Sequence, residues 1–211
     1  MVKRTIAAAA ALAAGLGVAS AQDMGNVRLG VHVGANWITS SDASSVVGEG
    51  DDAVSVNRDF DFDGGVAVGA TAGIAVTDSL MVEAEYTFRN NEFAEDAFGE
   101  RPAADDDLNT SAFMVNALVP MEVDTQTTGY LGAGVGYILK HDSDRSVPVL
   151  DELDGAFAWQ VKAGLDYDMG GRTLGFGLTY LSAEFGGNDV EDEAEVEIGS
   201  LMATVSLKFG G

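Results

Sequence analysis

Three aspartates alternate in Asp59-Phe60-Asp61-Phe62-Asp63-Gly64, the residue type and spacing that open a calcium-binding loop. Alternate carboxylates on a tightly turning loop can converge on one hard cation. The complete loop closes with a bidentate glutamate at its last position, and that position here is Ala70. In an extended strand the same alternation sets Asp59, Asp61 and Asp63 on one face instead. The segment therefore reads first as a solvated acidic rim, with these three aspartates as an incomplete calcium set.

A second candidate is His141-Asp142-Ser143, which has the residue types of a base, an acid and a nucleophile. Adjacent residues rarely converge in the geometry that such chemistry requires. The other histidine, His32, falls within a regular strand pattern. Cysteine is absent, which excludes disulfides, thiol catalysis and thiolate metal sites. The glycines alternate with apolar residues and precede no helix, so no phosphate-cradling loop is present. The expectation is a protein that is not an enzyme and carries no cofactor.

The remaining candidates are Arg28, Glu83, Glu85, Arg89, Lys162, Asp166 and Lys208, joined by His32, Asn116 and Gln160. Each sits at the polar position of a stretch in which apolar and polar or glycine residues alternate. There are eight such stretches: 26–38, 59–76, 80–91, 109–121, 127–140, 156–168, 172–185 and 195–209. Period two is the mark of a strand with two unlike faces. In the sixth stretch Phe157, Trp159, Val161, Ala163, Leu165 and Tyr167 oppose Gln160, Lys162, Gly164 and Asp166. In the seventh, Leu181 interrupts the alternation.

The connections sort by length. Thr77-Asp78-Ser79, Asp124-Thr125 and Met169-Gly170-Gly171 are tight turns, whereas the other connections span roughly ten to twenty residues, as in outer-membrane barrels. A soluble sandwich would not be expected to send long and short loops to opposite ends. These features predict an all-β, eight-stranded antiparallel up-and-down transmembrane barrel. Its apolar face points to lipid and its polar face inward. Trp37, Phe60, Phe62, Phe88, Phe113, Tyr137, Phe157, Trp159 and Tyr180 fall toward the long-loop end, and Tyr167, Phe176 and Phe209 toward the other, as interfacial girdles. A barrel of this size has an interior that side chains fill, so the inward charges are expected to pair as a polar plug, with Gly34, Gly69, Gly134 and Gly177 making room.

Residues 1–21 carry Lys3 and Arg4, an alanine-rich apolar run and Ala19-Ser20-Ala21, the pattern of a secretory signal cut after Ala21. Residues 22–211 then form one barrel domain. Cleavage removes two of the 11 basic residues and none of the 34 acidic ones, leaving nine against 34 and a formal charge of −25. That balance excludes nucleic acid as a partner, because phosphates require a basic footprint. Beyond residue 21 no run of about 18 apolar residues could span a bilayer as a helix.

Three segments carry a family resemblance: Gly132-Ala133-Gly134-Val135-Gly136-Tyr137, the stretch from Ala156 to Tyr167, and Leu174-Gly175-Phe176-Gly177-Leu178-Thr179-Tyr180. They resemble the OmpA-like, opacity-type small barrels of Gram-negative outer membranes. The resemblance implies a bacterial outer-membrane location, both termini in the periplasm, and contact with lipid and lipopolysaccharide. It also implies recognition by the barrel-assembly machinery through a last strand ending on an aromatic. Here Phe209 is followed by Gly210 and Gly211. The larger members' peptidoglycan-binding domain is not expected after that strand.

Acidic residues crowd the long connections, for example Asp105-Asp106-Asp107 and Glu191-Asp192-Glu193. Such runs serve solubility and mutual repulsion, or loosely bind divalent cations that bridge to lipopolysaccharide. The leading expectation is a monomeric structural protein that supports envelope integrity. An adhesin or host-interaction surface antigen comes second and a narrow porin-like ion channel third.

Overall fold

The computed structural model describes residues 26–47, 54–59, 64–92, 107–140, 155–186 and 195–210. Its strands are β1 (Val27–Val47), β2 (Val54–Asp59), β3 (Gly65–Thr77), β4 (Leu80–Glu92), β5 (Asp107–Glu122), β6 (Thr127–Lys140), β7 (Ala156–Asp168), β8 (Thr173–Gly186) and β9 (Glu195–Phe209). From β3 to β9 each strand pairs antiparallel with the next, and β1 pairs with both β3 and β9. The register Val31↔Leu207 to Trp37↔Leu201 closes the sheet into a cylinder of eight strands, β1 and β3–β9. Closure leaves the cylinder no unpaired edge, the condition for strands to cross a hydrocarbon layer.

The alternation predicted from sequence is inverted relative to a soluble core. Val33, Val115, Val135, Val161, Leu165, Phe176 and Leu178 are exposed on the outer face, whereas Glu83, Glu85, Asn116, Gln160, Asp166 and Lys208 are buried within. The outer aromatics also fall where expected: Trp37, Phe113, Tyr137, Phe157 and Trp159 lie toward the long-connection end, and Tyr167 and Phe176 toward the turns. Tyr86 packs on Phe113 with ring centroids 4.8 Å apart, and Trp159 on Tyr180 at 5.8 Å. Phe60 and Phe62 lie outside the described residues.

The tight turns follow local chemistry. Asp124 Oδ1 accepts the backbone N–H groups of Gln126 and Thr127, each at 2.8 Å. Gly170 and Gly171 take φ of 76° and 86°, which side chains disfavour, and Gly170 N–H donates to Asp168 Oδ1 at 2.7 Å. These turns share one end of the cylinder with residues 26 and 210.

The strand expected over 59–76 is described in two pieces, β2 to Asp59 and β3 from Gly65, both paired antiparallel with β1 in one register that runs from Val47↔Val54 and Asp42↔Asp59 to Asn36↔Gly65 and Val27↔Ile74; residues 60–63 lie outside the described residues. β1 correspondingly runs on to Val47, beyond Ile38, with an irregularity in its pairing to β9 between Ile38 and Ser40. Leu181, which interrupts the alternation, lies within β8. It faces inward, with Ala112, Met114, Ile138, Ala156, Ala158 and Ala183, in an apolar cluster that fills the long-connection half of the lumen. The turn-side half of the interior is thus lined by charges, whereas the long-connection half combines this apolar cluster with the buried Asn36, Arg89 and Asn91.

Candidate functional site: the polar network of the lumen

Strand parity brings Glu83, Glu85, Thr87, Arg89 and Asn91 onto the inner face of β4, since Ala84 and Tyr86 between them are exposed outside. β5 contributes Asn116 and β7 contributes Gln160, Lys162 and Asp166. At the centre Lys162 Nζ donates to Glu83 Oε1 at 2.9 Å and to Glu85 Oε2 at 2.5 Å. Asn116 Nδ2 donates to Glu85 Oε2 at 2.9 Å and to Glu83 Oε1 at 3.3 Å. Gln160 Nε2 reaches Asn116 Oδ1 at 2.7 Å and Glu85 Oε2 at 3.2 Å. Desolvating three charges is costly, and charge-assisted bonds of this density are what offset it.

Thr87, which the sequence did not single out, extends the network. Its hydroxyl donates to Glu85 Oε1 at 2.9 Å and lies 3.1 Å from His32 Nε2. Because the hydroxyl proton is committed to Glu85, the imidazole must be the donor in the second bond, which places a hydrogen on His32 Nε2. Tyr130 is a further inward residue that sequence reasoning missed. Its parity, opposite to that of Leu131, was the available signal.

A second cluster lies nearer the turns. Lys208 Nζ donates to Asp166 Oδ1 at 2.7 Å and Oδ2 at 2.8 Å, and Arg28 Nη1 reaches Oδ2 at 3.4 Å. Lys208 Nζ also stands 4.8 Å from the centroid of the Tyr130 ring, a cation–π distance. Between the two clusters is a cavity of about 20 Å³, lined by His32, Glu83, Tyr130, Lys162 and Lys208 among others, with room for about one water molecule.

The glycines have the expected use at three of four positions. A Cβ on Gly69 would strike the His32 ring, one on Gly134 would strike Asn116 Oδ1, and one on Gly177 would meet Thr204 Oγ1 at 2.8 Å and Tyr130 Oη at 2.9 Å. Gly34 instead makes room for the backbone of Ala203.

Among the described residues, Arg28, Glu83, Glu85, Lys162, Asp166 and Lys208 lie in these two clusters. Arg89 does not join them: it is 3% exposed, and its Nε, Nη1 and Nη2 have no hydrogen-bond partner among the described residues. Of the calcium set, only Asp59 is among the described residues. Asp59 stands opposite Asp42 in register, whereas Asp61 and Asp63 lie outside the described residues, as do His141, Asp142 and Ser143. Among the described residues no group of three or more histidines and carboxylates is placed to hold a metal ion.

An inverted, closed cylinder with a salt-bridged bore is the architecture of a membrane barrel, and the sequence comparison agrees. The family model for the outer membrane protein beta-barrel domain matches residues 6–209. The chain belongs to this outer-membrane β-barrel family. Three solved structures share the fold of this family member. Neisserial surface protein A (NspA) is 15% identical with a TM-score of 0.52, over 86% of this chain and 96% of that one. The outer membrane protein OprG from Pseudomonas aeruginosa is 14% identical with a TM-score of 0.53, over 87% and 96%. The outer membrane protein AlkL, solved in DMPC lipid bilayers, is 11% identical with a TM-score of 0.52, over 88% and 90%. No curated protein matches by sequence. The family places the barrel in the lipid of a bacterial outer membrane.

Proposed function

We propose that this barrel is a structural component of the outer membrane, with no catalytic role, contributing to envelope integrity and presenting acidic loops outward. The observation that carries the reading is the filled bore. The Lys162–Glu83–Glu85 cluster, the Asp166–Lys208–Arg28 cluster and the apolar cluster around Met114, Ile138 and Leu181 follow one another along the lumen. A path for hydrated ions would have to break buried ion pairs and wet an apolar cluster. This weighs against a porin-like channel. Deleting the protein should sensitise cells to detergents and chelators, with complementation restoring resistance, while the purified protein should show no reproducible unitary conductance in planar bilayers. A conductance that Lys162→Met or Glu83→Gln abolishes would overturn the reading.

On the same reading residues 1–21 are a cleaved signal, both termini face the periplasm, and the folded protein is a monomer. Phe209, at the end of β9 and under the Arg172 guanidinium at 5.9 Å from its ring centroid, is the contact for the assembly machinery. Divalent cations bridge the acidic rim, including Asp59, Asp61 and Asp63, to lipopolysaccharide. The rim's charge favours such counter-ions: the backbone register sets Asp59, Asp42, Glu197 and Glu184 in one row across β2, β1, β9 and β8.

An adhesive or surface-antigen role is the second reading. It is favoured by the β1–β2 ladder, which gives an ordered platform beyond the start of β3. Grafting the second and fourth long connections onto another barrel should then transfer cell binding.

A further inference from the structure

Arg89 is a full positive charge that burial has removed from water, since a guanidinium is not deprotonated in a protein. Its position on β4 is fixed by pairing with Ala67 on one side and Thr110 on the other. Neither neighbour supplies a carboxylate. The closest acid along the same face is Glu85, but its oxygens already accept from Thr87, Asn116, Gln160 and Lys162. Asp166 is likewise occupied by Lys208 and Arg28. Among the described residues that face the bore, four cations (Arg28, Arg89, Lys162 and Lys208) stand against three anions (Glu83, Glu85 and Asp166). The surplus positive charge coincides with the one guanidinium among them whose nitrogens all lack partners.

A buried, unpaired charge costs several kcal/mol, far more than a neutral side chain of similar size would. From this coincidence of charge surplus and orphaned donors, we infer that Arg89 holds a small monovalent anion of the chloride class inside the long-connection half of the lumen. One surplus charge calls for one negative charge. A phosphate or sulfate dianion would need a second uncommitted cation, and Lys162 is committed to two carboxylates. The interior side chains beside it are uncharged: Thr87 and Asn91 flank it on the inner face of β4, and Ala67 and Ala112 are fully buried on the strands flanking β4. None of them carries a negative charge that could balance the guanidinium. The anion serves as an internal counter-ion that lets a net-positive bore persist within a strongly acidic protein.

The test uses the folded barrel in detergent. Wild type and Arg89→Met are heated at constant ionic strength with sodium gluconate replaced stepwise by chloride or bromide, and the midpoint of the heat-dependent gel shift is read. A ligand that binds only the folded state raises the midpoint with its concentration. The wild-type midpoint should rise with either halide, and Arg89→Met should lose that rise. Equal halide responses in the two proteins would overturn the inference. Anomalous scattering from bromide-soaked wild-type crystals should place a peak within hydrogen-bond reach of the Arg89 guanidinium. A guanidinium met there only by water, or by a carboxylate of the chain itself, would also overturn it. That crystal experiment needs no variant and decides the matter even if Arg89→Met does not fold.

Discussion

At the scale of single residues, the lumen shows how a charge survives inside a membrane protein. Lys162 is the shared partner of Glu83 and Glu85, so removing it strands two carboxylates in a dry interior. Lys162→Met should therefore cost about 3–5 kcal/mol in urea unfolding from lipid or detergent. The triple variant Glu83→Gln/Glu85→Gln/Lys162→Met should recover most of that loss, because no uncompensated charge remains. A triple variant as unstable as the single one would contradict this account. Asp124 illustrates the opposite, fully exposed case. The backbone N–H of Gln126, with further bonds from Thr127, holds its carboxyl below the usual aspartate range. A depressed folded-state value means that the contribution is complete above the unfolded value of about 4 and fades as pH falls through the folded one. Unfolding midpoints of Asp124→Ala should accordingly approach those of wild type as the medium is acidified.

At the scale of elements, parity decides which substitutions a strand accepts. Val161 is 47% exposed on the outer face of β7, next to the fully buried Gln160. Val161→Arg should cost about 2–4 kcal/mol if the position lies near the bilayer midplane, and should depress folding yield into lipid vesicles. Val161→Leu, which keeps the outer face apolar, should fold as wild type does. Equal yields for the two variants would mean that this face does not meet lipid. The same parity explains Leu181. An inward apolar residue breaks the chemical alternation while leaving the strand geometry intact, because the long-connection half of the bore is packed with aliphatic side chains.

At the scale of the whole molecule, closure between β1 and β9 carries the architecture, since it pairs the first strand with the last. Closure also gathers the three tight turns and residues 26 and 210 at one end of the cylinder. If that end faces the periplasm, an impermeant amine-reactive reagent applied to intact cells should label the long-connection end and spare a tag inserted in the Asp124–Gln126 turn. Labelling of the turn tag in intact cells would reverse the orientation.

The strand count, the strand facing and the identity of the interior charges were legible in the chain because a two-residue period needs no tertiary information. Arg28, Glu83, Glu85, Lys162, Asp166 and Lys208 all point where parity sends them. Parity says nothing about height along the axis or about which strands stand opposite across the bore. The grouping into Lys162–Glu83–Glu85 and Asp166–Lys208–Arg28, and the bridging role of Thr87, therefore required the register and the curvature of the closed sheet. The same limit hid the reach of the first strand, which runs past Ile38 to Val47 and pairs there with residues 54–59 in the register it keeps with β3. It also hid the isolation of Arg89, whose sign and inward facing the sequence determines. Whether a carboxylate lies within reach of it is a matter of three-dimensional distance alone.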